Sequence, residues 1–302
     1  MAKFDYPILA AWAVPPREGE QATDVTDGMY FPSIATAFMN NFERVRSLAN
    51  LPAVVAAQSF SLGKTDKLDT VGWEDGAKQV EEYTSKINSV KYGIESVLTS
   101  VLVGAWTTFE VLSGDLWTET VNQFPILGVR ALDADPLEGD SDSVKERKAG
   151  KTVSVVAQKV LDPKFDLKQK MGDVLSDAFP MTKFSLVVHA YKAVFRDDAL
   201  CEIIRHRDIR TLSAARNVLV HNAGNADEDF CNKVKTDPRF SKFKVGERIE
   251  LSSATTVALL KSLRRQSVAL LNYVAKWCLS KQKANQPPII KLSPTASTTA
   301  AE

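Results

Sequence analysis

Arg216, Asn217 and His221 are the residues of this sequence whose chemistry and spacing best fit a catalytic site. The guanidinium of an arginine is a fixed cation that binds phosphate through two parallel hydrogen bonds. A histidine titrates near neutral pH and can carry a proton to or from a reacting group. Together, these two groups could stabilise the charge that builds up on a phosphate and move the required proton. Asn217 could orient either group or the substrate.

A helical wheel indicates how these side chains are presented. At 100° per residue, Leu212 and Leu219 lie on one side of the helix, and Asn217 and His221 lie on the opposite side, one turn apart. Arg216 lies at the edge of the apolar arc, about 140° from His221 in an ideal helix. We therefore expect that a bend, the reach of the arginine or a second subunit brings both groups to one phosphate.

The sequence around these residues resembles the HEPN ribonucleases, whose signature is Arg-x(4–6)-His. In this family a polar residue commonly follows the arginine, an apolar triplet precedes the histidine, and a His-Asn-x-Gly-x-x-Asp run follows. Asn217, residues 218–220 and residues 221–227 have this pattern. The resemblance covers roughly residues 73–281 and is firm only in the last hundred residues of that span.

The resemblance implies a metal-independent endoribonuclease of the toxin or antiviral defence type, with Arg216, Asn217 and His221 as its catalytic residues. It implies cleavage by attack of the 2′-hydroxyl and a 2′,3′-cyclic phosphate product. It also implies a homodimer in which two motif helices face each other, and an antitoxin or sensor protein is a further candidate partner. We expect neither a metal nor another cofactor, because the sequence contains no cluster of metal ligands.

Other polar residues are candidates for supporting roles. The family often has an acidic residue near the motif, and Glu110 and Asp115 are candidates for it, although a surface carboxylate explains either equally well. Asn222 is a third candidate. A basic cluster before the motif could steer RNA toward Arg216, or it could simply be a solvated face. Its arginines are Arg205, Arg207 and Arg210.

Each residue of the motif also has a structural interpretation. His221 could be a cation at the C-terminal end of a helix, with residues 222–224 as the stop signal. Arg216 could be a surface ion-pair partner, and His189 lies in an apolar helix as a packed core or interface residue. Two other functions therefore stay open: a non-catalytic HEPN module that binds a partner protein, nucleotide or RNA, and an unrelated helical adaptor.

The elements around the motif predict an all-α fold, a helical bundle of HEPN type. Apolar residues recur every three or four positions in several segments. These segments are residues 32–50, 73–122, 182–195, 208–222 and 253–281. We expect Pro52 to end the first helix, and a short irregular or β-hairpin-like loop to precede the last helix.

Three regions follow from the distribution of these elements. Residues 1–72 form an N-terminal region of unknown role, and residues 73–284 form the HEPN-like helical domain. A linker is predicted at 133–151, where Pro, Gly and clustered charges break the periodicity. Residues 285–302 are rich in Pro, Ser, Thr and Ala and are predicted to be a disordered tail.

The composition limits the partners and the compartment. Lys+Arg (38) and Asp+Glu (37) nearly cancel and leave a net charge of +1, so contact with RNA must be local. Three scattered cysteines indicate a reducing, cytoplasmic compartment. The apolar stretch 97–112 is interrupted by Thr, Ser and Glu, which predicts a buried core helix and no membrane span.

Overall fold

The computed structural model describes residues 30–61, 82, 86–132 and 167–285. Within these ranges the chain is predominantly helical, and its only β-pairing is an isolated antiparallel bridge between Asn225 and Arg248. The predicted all-α fold class is confirmed. The predicted linker at 133–151 and residues 286–302 of the predicted tail lie outside the described residues.

The described helices are named here in chain order. They are α1 (Pro32–Ser61), α2 (Asn88–Gln123), α3 (Ile126–Leu132), α4 (Met171–Leu175), α5 (Phe184–Phe195), α6 (Asp198–Ile204), α7 (Arg207–His221), α8 (Glu228–Val234) and α9 (Ser253–Asn285). A 3₁₀ turn, Ser176–Ala178, follows α4.

Helix α2 is the centre of the bundle. It packs against α1, α4, α5, α7 and α9, and apolar side chains are buried along it from Ile94 to Val121. Trp106 and Trp117 are fully buried, and the Trp117 indole N–H donates a hydrogen bond to the Ala190 carbonyl of α5 at 3.1 Å. Both tryptophans therefore anchor the core of the bundle.

The polar residues of α2 fit this buried position because their hydroxyl groups bond to the helix itself. Thr108, Ser113 and Thr120 each donate to the backbone carbonyl four residues earlier. A Ser or Thr that bonds in this way satisfies its own hydrogen and does not need a partner outside the helix. By length and composition alone, α2 could cross a membrane, but about half of its most apolar window is buried inside the bundle. This arrangement is consistent with a soluble protein.

Helix α1 does not end where the sequence predicts. It continues through Pro52 to Ser61, so the expectation that Pro52 ends the helix is wrong. A proline inside a helix removes one backbone hydrogen bond and crowds the preceding turn. The packing of α1 along α2 offsets this cost, with Phe38, Phe42 and Val45 of α1 buried in the common core.

The helix that carries the motif begins and ends close to its predicted bounds. The ring nitrogen Nδ1 of His206 accepts a hydrogen bond from the Asp208 backbone N–H at 3.2 Å and thereby caps the first turn. Asp208 in that turn adds a favourable charge at the positive end of the helix dipole. The apolar side of α7 packs against α2 and α9, with Leu212 and Ala215 fully buried. The motif is therefore held against the centre of the bundle.

The segment before α9 is irregular, as predicted, and it pairs briefly with the segment after α7. Ala226 N–H donates to the Glu247 carbonyl at 2.8 Å, and Ile249 N–H donates to the Gly224 carbonyl at 2.8 Å. These bonds flank the Asn225–Arg248 bridge. They fix Arg248 next to the C-terminal end of α7.

Candidate active site at the C-terminal end of α7

The three motif residues differ in exposure. Arg216 and Asn217 are half-buried, whereas His221 is exposed in the last turn of α7. Arg216 donates a hydrogen bond from its Nη1 to Asn217 Oδ1 at 3.2 Å. His221 follows Arg216 by five positions, which is about 7.5 Å along the helix axis. Asn217 thus orients the guanidinium, and the histidine is presented to solvent at the helix end.

The guanidinium of Arg216 also interacts with α2. Burial raises the pKa of Glu110. The Arg216 guanidinium and the Trp106 indole oppose this shift. Arg216 Nε is buried and has no hydrogen-bond partner within the described part of the chain. Of the two acidic residues proposed from the sequence, Glu110 is therefore the one that the fold brings to the motif.

The second acidic candidate, Asp115, lies near another side chain. Burial raises the pKa of Tyr191 well above its usual value, and the Asp115 carboxylate adds to this effect. The Tyr191 hydroxyl donates to the Ser113 carbonyl at 2.9 Å. Asp115 is thus placed beside α5, whereas Arg216 interacts with Glu110.

Asn222 connects the motif helix to the next helix. Its Nδ2 donates to Asp227 Oδ2 at 2.6 Å, and Asp227 Oδ1 accepts from the Phe230 N–H at 2.7 Å as the N-cap of α8. The chain reverses through Ala223 and Gly224, whose φ angles are 51° and 82°. The left-handed region favours glycine, so Gly224 suits this turn and Ala223 is strained in it. The predicted stop signal after His221 is confirmed.

The basic cluster lies around the N-terminal end of α7, and a carboxylate or an aromatic ring lies next to each of its arginines. Arg205 lies 3.6 Å from Glu202, and Arg207 lies 3.8 Å from Asp208. The Arg210 guanidinium lies 5.9 Å from the centroid of the Phe184 ring. On α7, Arg207 and Arg210 lie nine and six positions before Arg216, which is about 13.5 and 9 Å along the helix axis. The cluster thus precedes Arg216 along the chain, and its role in steering RNA stays a prediction.

A buried ionic network at the start of α7 was not predicted from the sequence. The Arg239 guanidinium donates to both Asp208 and Asp237, and the Thr211 hydroxyl donates to Asp237 Oδ2 at 2.9 Å. Burial opposes the charged form of Asp237, but the bonds from Arg239 and Thr211 lower its pKa to about 2. The network ties α7 to the loop after α8. Periodicity carries no signal for it, because the paired residues are 26 and 31 positions apart.

The histidines outside the motif have structural positions. His189 is buried in α5 and stacks on Phe179, with ring centroids 6.4 Å apart. Burial lowers the pKa of His206; the Asp208 carboxylate opposes this shift, and Arg265 reinforces it. His206 caps α7, which is a role that the sequence analysis did not assign.

A cavity of about 340 Å³ opens beside the C-terminal end of α7. It lies between the first part of α2, the turn after His221 and the segment before α9. Its lining comprises Glu95, Ser96, Thr99, Ser100, Leu219, Ala223, Gly224, Arg248, Ile249 and Leu251. Arg248 lies 3.3 Å from Glu95 at one side of this cavity. The sequence analysis did not single out either residue of this pair.

Among the residues that the structure describes, no group of three or more His, Cys, Asp or Glu side chains could hold a metal ion. A comparison of the chain with protein-family models, with curated proteins and with solved structures finds no match. The functional interpretation therefore depends on the residues themselves and on their geometry.

Proposed function

We propose that this protein is a metal-independent endoribonuclease of the HEPN type, with Arg216, Asn217 and His221 as its catalytic residues. The observation that carries the proposal is the arrangement at the end of α7. A guanidinium oriented by Asn217 precedes an exposed histidine by five residues on one helix. This pairing of a phosphate-binding cation with a proton carrier is what RNA cleavage without a metal requires.

The reaction is an attack of the ribose 2′-hydroxyl on the neighbouring phosphate. The 2′-oxygen forms a bond to phosphorus, the bond to the 5′-oxygen breaks, and a 2′,3′-cyclic phosphate and a 5′-hydroxyl remain. His221 transfers a proton to or from these oxygens, and Arg216 stabilises the charge on the phosphate. Glu110 on α2 contributes a negative charge near Arg216, because the two groups interact electrostatically.

The proposal includes a homodimer. His221 is exposed and Val220 beside it is 47% exposed, so this end of α7 is not covered by its own chain within the described residues. Two copies related by a two-fold axis would bring two such ends together and form one cleft. We propose that the enzyme acts in the cytoplasm, with RNA as substrate and an antitoxin or sensor protein as regulator.

One observation favours the second candidate function, a non-catalytic HEPN module. Arg216 is half-buried, its Nε is enclosed, and its charge interacts with Glu110, as expected for an arginine that links two helices. In that case α7 would bind a partner protein, nucleotide or RNA without cleaving it. Activity measurements separate the two candidates.

The test is incubation of the purified full-length protein with mixed RNA in the presence of EDTA, beside the His221→Ala protein prepared in parallel. We expect cleavage to persist in EDTA and to leave cyclic phosphate ends. His221→Ala should lower the rate by at least about 100-fold. It should leave the melting temperature nearly unchanged, because an exposed side chain contributes little to stability.

Three results would contradict the proposal. Cleavage that EDTA abolishes and a divalent ion restores would show that the mechanism is wrong. Equal cleavage by the wild-type and His221→Ala proteins would exclude His221 and indicate a contaminating nuclease. A folded protein that binds RNA without cleaving it would support the non-catalytic module.

A further inference from the structure

The cavity at the C-terminal end of α7 has the size and the lining of a small-molecule site. Its volume of about 340 Å³ is at the lower end of the range for ligand-binding clefts. Leu219, Ile249 and Leu251 provide apolar surface, and the α2 side provides polar groups. A flat ligand with an aromatic face and polar edges would match both parts of this lining.

The polar groups are of a particular kind. Ser96 and Ser100 donate their hydroxyl hydrogens to the Tyr92 and Ser96 carbonyls, at 2.8 and 2.9 Å. Because each hydrogen is already used, these oxygens can only accept from a ligand. Glu95 adds a carboxylate, and Arg248 contributes a planar set of donors. The cavity therefore favours a ligand that presents N–H donors along one edge and acceptors along the next.

We infer that this cavity binds a guanine base through Glu95 and Arg248. Guanine has N–H donors at N1 and N2 that match a carboxylate, and acceptors at O6 and N7 that match a guanidinium. Adenine and cytosine place a ring-nitrogen acceptor where guanine has its N1–H donor, and uracil lacks the amino group. Adenine, cytosine or uracil would therefore place an acceptor, or no group at all, against the Glu95 carboxylate.

The ion pair between Glu95 and Arg248 can open to admit the base. The Arg248 side chain is 61% exposed and that of Glu95 is 17% exposed, so the arginine can move into solvent. Exposed ion pairs contribute little to stability. Lys91 lies 3.9 Å from Glu95 and still balances its charge when Arg248 turns toward guanine.

The position of the cavity relates it to the proposed reaction. Ala223, in the turn two residues after His221, lines it, whereas the other α7 lining residue, Leu219, lies on the side of the helix opposite His221. The proposal places the phosphate of the bound nucleotide at the turn through Ala223, the part of the lining that follows His221 in the chain. The consequence for cleavage rests on the proposed ribonuclease function: the enzyme would cut RNA next to guanosine. Binding of guanine itself does not depend on that function.

The experiment has two arms that use the full-length protein. In the first arm, guanosine 3′- and 5′-monophosphates and the corresponding adenosine, cytidine and uridine nucleotides are titrated by calorimetry. The same titrations are made with Glu95→Gln, with Ser100→Trp to fill the cavity, and with Asp229→Asn as a control. Asp229 is an exposed carboxylate that pairs with Lys233 on α8, outside the cavity lining. In the second arm, the cleavage sites in a mixed RNA are mapped.

We expect guanosine 3′- or 5′-monophosphate to bind at least about tenfold more tightly than the corresponding adenosine, cytidine and uridine nucleotides. Glu95→Gln and Ser100→Trp should each remove this preference while circular dichroism shows a folded protein, and Asp229→Asn should retain it. Equal affinity for all four bases, or a guanine preference that survives both variants, would overturn the inference. Guanine binding without any RNA cleavage would instead contradict the proposed function. RNA cleavage without a preference for guanosine would contradict the guanine inference and leave the proposed ribonuclease function standing.

Discussion

Glu110 on α2 and Arg216 on α7 interact electrostatically across the interface between the two helices. The fold thus places Glu110 near Arg216, although the two residues are far apart in the sequence. Trp106, one turn before Glu110, also contributes to the environment of this carboxyl. The central helix of the bundle thus takes part in the candidate site, and the motif helix does not form it alone.

The first prediction concerns this pair. Burial raises the pKa of Glu110 and Arg216 opposes the shift, so Arg216→Ala should raise the pKa of Glu110 further. NMR titration of the Glu110 carboxyl carbon measures this pKa directly. Lys233→Ala removes a cation whose partner is Asp229 on α8 and serves as the control. An unchanged Glu110 pKa in Arg216→Ala would show that the two groups do not interact in solution.

The second prediction concerns acid stability. Asp237 has a pKa of about 2 in the folded protein against an ordinary value of 3.8. Because the folded pKa is the lower one, its contribution is complete above about pH 4 and is lost as the pH falls toward 2. A shift of this size corresponds to roughly 2 kcal/mol.

The matching variant is Asp237→Asn. It should lower the free energy of unfolding at pH 7 by roughly 2 kcal/mol, because Arg239 loses one of its two carboxylate partners and pairs with Asp208 alone. It should also flatten the loss of stability between pH 4 and pH 2. Urea unfolding at several pH values checks both statements. An Asp237→Asn protein with the wild-type acid profile would contradict the role given to this network.

The third prediction compares two glycines. The Gly172 N–H donates to Asn122 Oδ1 at 2.8 Å, and a Cβ at Gly172 would lie 2.0 Å from the Thr118 carbonyl oxygen. Gly172→Ala should therefore push α4 away from α2 and lower the free energy of unfolding by about 2 kcal/mol or more. Gly93 lies inside α2, and a Cβ there would meet nothing within 4 Å.

Gly93→Ala is thus the matched control and should stabilise the protein by about 0.5–1 kcal/mol, because alanine loses less backbone entropy in a helix. Thermal unfolding of the two variants gives the comparison. If Gly172→Ala is as stable as the wild-type protein, α4 does not pack on α2 as described.

The fourth prediction concerns the proposed dimer. Val220 is 47% exposed next to His221, and Val220→Asp would place two like charges across a two-fold axis at this point. It should weaken association by roughly tenfold or more. Asn217→Asp is a poorer probe, because Asn217 already accepts a hydrogen bond from Arg216 of the same chain.

Leu51→Asp is the control, since Leu51 is 48% exposed on α1, which does not carry the motif. Light scattering over a range of protein concentrations measures the dissociation constant of each variant. A wild-type protein that is monomeric at micromolar concentration and still cuts RNA would show that the composite site is wrong.

The sequence by itself determined most of the helices around the motif. Prediction placed α7 at 208–222, and the structure has Arg207–His221; for α5 the bounds are 182–195 and Phe184–Phe195. These helices are amphipathic, and their ends carry local signals, such as the turn at Gly224. Local signals of this kind lie within a few residues of the helix that they define, so they can be read from a single sequence.

Only the tertiary structure decided which residues surround the motif. Glu110 and Asp115 are equivalent in the sequence, but the fold brings Glu110 to Arg216 and leaves Asp115 beside Tyr191. Glu95 and Arg248 are 153 positions apart and meet at the cavity. Such pairs depend on how helices and loops pack, and no periodicity along the chain encodes that. Pro52 shows the same limit, because contact with α2 outweighs its local tendency to end a helix.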